Sequence, residues 1–437
     1  MSKSTITRTH ARRVWDSRGR PTVEVDITLA DGSLGRAIAP AGASRGSREA
    51  TDLRDGGSRL QGMDVSQAVA AVNERIAPAL QGRDCTNQAD LDAALIELDG
   101  TALKTSLGGN AMVATSLAAL HASAAHHQQP LWQYLAQSSG NTPLVPLPEI
   151  QIFGGGAHAG KRVDIQDFMV MVPGAESFDE ALEITANIYN AAGKIMAGRG
   201  RLAGVADEGG WWPLFDNNEQ ALETLVEAIE LAGETPGDKV VISLDIAASE
   251  FGSKGRYRLA LDDREMDSDA LIEMLGRWLE RYPIASIEDP VAEDDVTGMQ
   301  AFTRAWGDKV QIIGDDYLVT NETLVGQAVR DRACNAVLIK VNQAGTVTES
   351  LNTLRAAHAA GWQTIVSARS GETEDVSICH LATGWHAGQL KVGSFTRSER
   401  MAKWNECLRI AEALGSDARF AGAAPLAGTE WARRRQG

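Results

Sequence analysis

Five ionisable residues punctuate the second half of the chain: Asp245, Glu288, Asp315, Lys340 and Lys391. They fall at the ends of short apolar runs, VVISLD, ASIED, VQIIGD, AVLIK and QLK, and a sixth run, QTIVSA, ends at Ala368 before Arg369-Ser370. A single acid behind a strand ordinarily caps the following helix. Three acids and two lysines brought to one place are hard to explain as caps. Converging carboxylates repel one another unless a cation lies between them. An all-oxygen set without His or Cys suits Mg²⁺ rather than zinc or copper. Lysines beside such a centre have a second use, because burial and a nearby divalent cation both lower an ammonium's pKa and make it a general base. The plainer alternative is that Lys340 and Lys391 only pair with the acids, and spacing alone leaves both readings open.

The last four steps between these run ends are about 25 residues each, the length of a strand, a helix and their loops in a (β/α) barrel. In such a barrel the C-terminal strand ends carry the chemistry. The runs are largely apolar, as parallel strands covered on both faces should be. Amphipathic helices are predicted over Asn217–Ala232 and Asp269–Arg281, the first with Asp216 and Glu219 as a capping box and Gly233 as its stop. Nearer the start, Val23, Val25, Ile27 and Leu29 alternate with polar residues, Asp31-Gly32 reads as a hairpin turn, and Ser33–Ala39 returns. Helical stretches follow at Asn87–Leu98 and Asn110–Leu135. The expected organisation is an α+β capping domain over residues 1–140 and an α/β barrel over 141–437. Arg433-Arg434-Arg435 reads as a solvated tail.

Composition narrows the classes. Of 437 residues, 43% are hydrophobic and 23% charged, which excludes whole-chain disorder. The net charge of -16 argues against a nucleic-acid binder, and an anionic substrate would need cations supplied by the site itself. Cys85, Cys334, Cys379 and Cys407 lie far apart without a CxxC pair, so they read as reduced thiols. The opening residues lack the apolar stretch of a signal peptide, and no apolar run reaches membrane-spanning length. A cytoplasmic protein with no membrane partner is expected.

Ten stretches make the reading specific: WDSRGRPTVEVDI (15–27), PAGASRG (40–46), HAGKRVDIQDFM (158–169), DEGGWWP (207–213), LDIAASEF (244–251), SIEDP (286–290), GDDYLVTN (314–321), LIKVNQAGT (338–346), SARSGETED (367–375) and GQLKVGSFTRSER (388–400). In this order the chain resembles the enolase family over essentially its whole length. The resemblance implies a modified barrel whose early strands are not all parallel, an N-terminal cap with a mobile lid loop, and a homodimer or higher homo-oligomer. It implies that Asp245, Glu288 and Asp315 hold a first Mg²⁺ and that the Ser44 backbone completes a second with the substrate. Lys340 is implied as the base that removes an α-proton, Glu208 as the acid that protonates the leaving hydroxyl, and Lys391 as the lysine facing the base. Arg369 and Ser370 are implied as phosphate binders, and His158 and Gln166 as substrate contacts. The substrate class would be a small phosphorylated or phosphonylated carboxylic acid.

Departures from the family pattern gather in one region. The family's SHRSGETED is SARSGETED here, which puts Ala368 where a histidine is implied. QEF is QDF, so a glutamate near Glu208 becomes the shorter Asp167. The lid carries Ala41 and the bulky cation Arg45, and Gly154 replaces the asparagine that opens the glycine-histidine loop. The metal ligands, both lysines and Glu208 are kept. A lyase retuned for a modified substrate is therefore expected first, similar to carboxyphosphonoenolpyruvate synthase of phosphonate biosynthesis, with Arg45 and Asp167 as further substrate contacts. The alternatives are the ordinary conversion of 2-phosphoglycerate to phosphoenolpyruvate, and a non-catalytic binding protein on the same scaffold.

Overall fold

The computed structural model describes residues 2–436. Strands β1 (Ile6–Trp15), β2 (Pro21–Leu29) and β3 (Leu34–Ile38) form an antiparallel sheet in that order, turning at Asp31-Gly32 as the alternating pattern requires. One face of this sheet is covered by the helix Gly109–His126, which is buried on nearly every side because its alanines permit close approach. A Cβ at Gly35 would stand 2.0 Å from the Ala118 carbonyl oxygen. The single helix expected over Asn110–Leu135 is two, Gly109–His126 and Leu131–Ser139, divided at Pro130, which removes a backbone donor.

Eight strands close the barrel: β4 (Leu147–Gly154), β5 (Asp167–Met171), β6 (Val241–Asp245), β7 (Ile284–Glu288), β8 (Gln311–Gly314), β9 (Ala336–Ile339), β10 (Gln363–Ser367) and β11 (Gly388–Ser394). β5 runs antiparallel to both β4 and β6, and every other pair in the ring is parallel. The last six strands lie where their apolar runs predict. The first two escape that criterion for physical reasons. β4 carries the buried polar residues Glu149 and Gln151 within an otherwise apolar strand. β5 follows β4 through the loop 155–166 with no intervening helix of four turns or more, so the strand-helix period starts only after it.

The reversal of β5 decides where its residues stand. Its first residue, Asp167, pairs in register with Asp245, the last residue of β6. Asp245 in turn pairs with Glu288 across β6 and β7, and Lys391 lies between Ser367 and Glu149 on its two neighbours. Register alone therefore gathers charge at one rim.

Two local expectations are corrected. The helix after residue 216 runs Glu219–Leu231, and no box forms between Asp216 and Glu219. Asp216 pairs with Arg201 instead, and Asn217 Oδ1 accepts the Gln220 amide. The three C-terminal arginines lie on a helix, Glu430–Gln436. Its Trp431 packs with Leu147, Met171, Val241 and Ala285 beneath the barrel, and Arg435 pairs with Asp238 at 2.6 Å. All four cysteines are buried free thiols, and among the described residues no helix is long and apolar enough to cross a membrane.

Candidate active site

The barrel mouth holds a small cavity whose wall includes Ser44, His158, Gln166, Asp167, Glu208 and Asp245 together with Lys340, Ala368, Arg369, Ser370 and Lys391. Nearly all the residues singled out from the sequence thus meet in one small space. Glu288 and Asp315 stand just beside it, tied to its lysines. Arg45 does not line it.

Around Lys391 the site is a lattice of opposite charges. Lys391 Nζ lies 2.8 Å from Asp245 Oδ2, 2.8 Å from Glu288 Oε2 and 3.4 Å from Asp167 Oδ2. Lys340 Nζ pairs with Asp315 Oδ2. Burial alone would lower both lysine pKa values, but the facing acids outweigh it and raise them, so each ammonium holds its proton. The pairing alternative thus describes the lysines as they stand here. Burial, reinforced by Asp245, pushes the Glu288 carboxyl well above its ordinary range. Asp315 goes the other way: Lys340 outweighs its burial and lowers it.

Around His158 the partners are hydrogen bonds on irregular backbone. His158 Nδ1 is 3.1 Å from Asp167 Oδ1, and its Nε2 is 3.1 Å from Ser370 Oγ and 3.6 Å from Glu208 Oε1. Burial opposes a charge on the ring, yet Glu208 and Asp167 outweigh it and push the imidazole up to about 9. Glu208 sits in a tight turn held by its neighbours: Ser394 N donates to the Glu208 carbonyl, Asp207 N to the His158 carbonyl, and Tyr189 and Thr396 hydroxyls to the Gly209 carbonyl.

The lid closes one side. Arg369 donates to Glu49 through both terminal nitrogens, at 2.9 and 3.3 Å, and to the Ser44 carbonyl at 2.9 Å and Asn342 at 3.2 Å. Ser44's carbonyl, implied as a metal ligand, is thus engaged by Arg369 in this arrangement. Gly42 is a site of close approach: a Cβ there would stand 1.9 Å from an Arg369 nitrogen. Arg45 turns back along its own loop, donating to the Ala50 carbonyl at 2.8 Å with Glu49 3.7 Å away.

Four residues that carry this arrangement escape the motif reading. Glu49 accepts from Gly46 N, Gln343 and Arg369, and Gln343 also donates to Asp315 Oδ1 at 2.8 Å, so lid, phosphate binder and acid form one chain of contacts. Asp289 accepts the Asp315 and Asp316 amides, one on each carboxylate oxygen, which fixes the loop bearing Asp315. Gln151 is the fourth. Asp289 and Gln343 had a signal, their places inside SIEDP and LIKVNQAGT; Glu49 and Gln151 contact the site from mid-loop and mid-strand.

The donors suit a hard cation. Glu288 Oε1 and Gln166 Oε1 are buried without a hydrogen-bond partner, and Asp245, Glu288 and Asp315 offer only oxygen. Two tighter groups exist, Asp289 with Asp315 and Asp316, and His158 with Asp167 and Glu208. Asp289 has both oxygens committed to backbone amides, and His158 carries a proton on a raised pKa, so neither group is the better metal site.

Comparison with known proteins agrees with this geometry. Residues 6–135 match the family model described as enolase, N-terminal domain, and residues 142–428 match enolase, C-terminal TIM barrel domain. The chain is 50% identical over 413 residues to Enolase 1 of Desulfitobacterium hafniense (strain Y51), covering 94% of each protein.

Proposed function

The chain belongs to the enolase family and is a hydro-lyase of that family; from that premise we propose that it dehydrates 2-phosphoglycerate to phosphoenolpyruvate, the ordinary enolase reaction. We place it in the cytoplasm as a homodimer or higher homo-oligomer, with the cap over 1–140 and the barrel over 141–437. The observation that favours this reading over a retuned substrate is the lining of the cavity, which keeps Lys340, Lys391, Glu208, Arg369 and Ser370 and gains no new charge. Arg45, the one cation added to the lid, stays outside it.

With Asp315 engaged by a bound cation, Lys340 would lose the ion pair that holds its proton, and in this reading its Nζ, as the free amine, takes the α-proton. The electron pair left on carbon moves into the carboxylate as an enolate, then returns to form the double bond as the carbon–oxygen bond to the hydroxyl breaks. Glu208 gives the departing hydroxyl its proton, and water leaves. Asp245, Glu288 and Asp315 would hold one Mg²⁺, and Ser44 with the substrate a second, supplying positive charge where the carboxylate gains electrons. Arg369 and Ser370 bind the phosphate, and His158 with Asp167 fixes the leaving-group side. A second reading keeps one observation of its own: the Ala368 methyl lines the wall where the family resemblance implies an imidazole, which leaves room for a larger substrate. A proton NMR time course of 2-phosphoglycerate with Mg²⁺ in heavy water separates the two. Vinyl signals at the rate of an ordinary enolase support dehydration of the plain substrate. Exchange of the α-proton without vinyl signals would overturn it in favour of a modified substrate.

A further inference from the structure

Gln151 lies in the middle of β4, fully buried, and touches both components of the leaving-group side. Its amide nitrogen donates to Asp167 Oδ1, the same oxygen that faces His158 Nδ1. Its amide oxygen accepts the Gly210 N–H at 2.8 Å, in the turn that carries Glu208. The space it occupies is kept free by two glycines: a Cβ would come 2.4 Å from Gln151 Oε1 at Gly210 and 3.0 Å at Gly154. Two of the family departures, Gly154 and Asp167, are thus direct neighbours of this one side chain. A carboxylate one methylene short is met by an amide long enough to reach it.

We propose that Gln151 is a positioning residue for the leaving-group step, a clamp that holds Asp167 against His158 and ties both to the Glu208 turn. This rests on the dehydration reading above. Gln151 touches no reacting atom in that scheme; it acts through Asp167 and Gly210. The clamp is a matter of summed length, so moving one methylene across the contact tests it. Gln151→Asn should break the clamp by shortening, and Asp167→Glu by crowding. The pair together should restore the reach.

The expected result is a loss of vinyl formation of tenfold or more in each single variant, with α-proton exchange within about threefold of the parent. Gln151→Asn with Asp167→Glu should recover vinyl formation to within about threefold. A merely structural role would lower both steps together with thermal stability and would not be rescued. Titration of the His158 imidazole by NMR reads the same clamp without any substrate. Each single change should move its midpoint by at least half a pH unit, and the double change should return it. Unmoved midpoints, or a double variant no better than the worse single one, would overturn the proposal even for a parent that turns over 2-phosphoglycerate. Restored midpoints in a parent without that turnover would keep the clamp and discard the substrate.

Discussion

Lys391 and His158 both line one small cavity, and their surroundings differ in kind. Lys391 and its acids project from consecutive strands β6 and β7 and from β11, so strand register fixes their spacing. His158 and Glu208 sit on a short 3₁₀ turn and a tight loop, and Asp167 heads the one reversed strand. Asp167 joins the two sides, with one oxygen at His158 and the other 3.4 Å from Lys391. Of the family departures, Asp167 and Gly154 fall on the loop-built side, Ala41 and Arg45 on the lid, and Ala368 beside Lys391. Rigid strand ends hold the charges that an enolate needs, while loops can be altered without moving them.

The strongest way to break this comparison is to disable one side at a time. Lys340→Ala should reduce α-proton exchange by about 10²–10⁴-fold, the usual worth of a positioned base. Glu208→Gln should cut vinyl formation by a similar factor while leaving exchange within a few fold. NMR in heavy water reads both. Equal loss of both steps in the Glu208 variant would mean that the two sides do not divide the chemistry as proposed.

Glu49→Gln probes the connection between lid and phosphate binder. Arg369 would lose a buried bidentate anion and keep only neutral partners. Loss of one partner from a buried charge pair costs about 3–5 kcal/mol, part of which relaxation recovers. The expected outcome is a rise in KM for 2-phosphoglycerate of roughly tenfold or more with a smaller change in kcat, measured by steady-state kinetics. An unchanged KM would separate the lid contact from phosphate binding.

The same division governs what could be read from the chain alone. β6 to β11 were legible because each is an apolar run, all but that of β10 ending on a charged group, and from β7 onward at near-constant spacing. Asp245, Glu288, Asp315, Lys340 and Lys391 follow from that rule without a structure. His158, Glu208 and Asp167 do not. They depend on a loop, a turn and a reversed strand, and only the resemblance of HAGKRVDIQDFM and DEGGWWP to the family points to them. Gln151 and Glu49 were illegible because their significance is a contact to residues far away in the chain. Arg45 was read from its charge as a substrate contact, and in the structure it donates to the Ala50 carbonyl of its own loop.

His158 also links the site to stability. Its folded pKa of about 9 lies above the ordinary histidine value of about 6.5. The protonated form is therefore favoured by folding. That contribution is fully present below about pH 6.5 and is lost as pH rises through 9, because only the unfolded chain has then already released the proton. Denaturant midpoints measured from pH 6.5 to 9.5 should fall more steeply for the parent than for His158→Gln. Parallel curves would show that the imidazole is neutral in the folded protein, which would remove the cation from the loop-built side.

Ala368→His should have the smallest effect and sharpens the comparison most finely. The Ala368 methyl lies in the cavity wall, and its strand neighbour Lys391 accepts the Ala368 amide through its carbonyl. An imidazole placed there would enter a small space already walled by the His158 cation and the Lys391 ammonium. If the Gln151, Asp167 and His158 contacts already complete the leaving-group side, the added ring only crowds it. Vinyl formation from 2-phosphoglycerate should then fall by about threefold, with exchange at the α-carbon unchanged, in the same NMR time course. A rise instead would mean that the loop-built side is incomplete for the plain substrate, and that the space at Ala368 serves a bulkier acid.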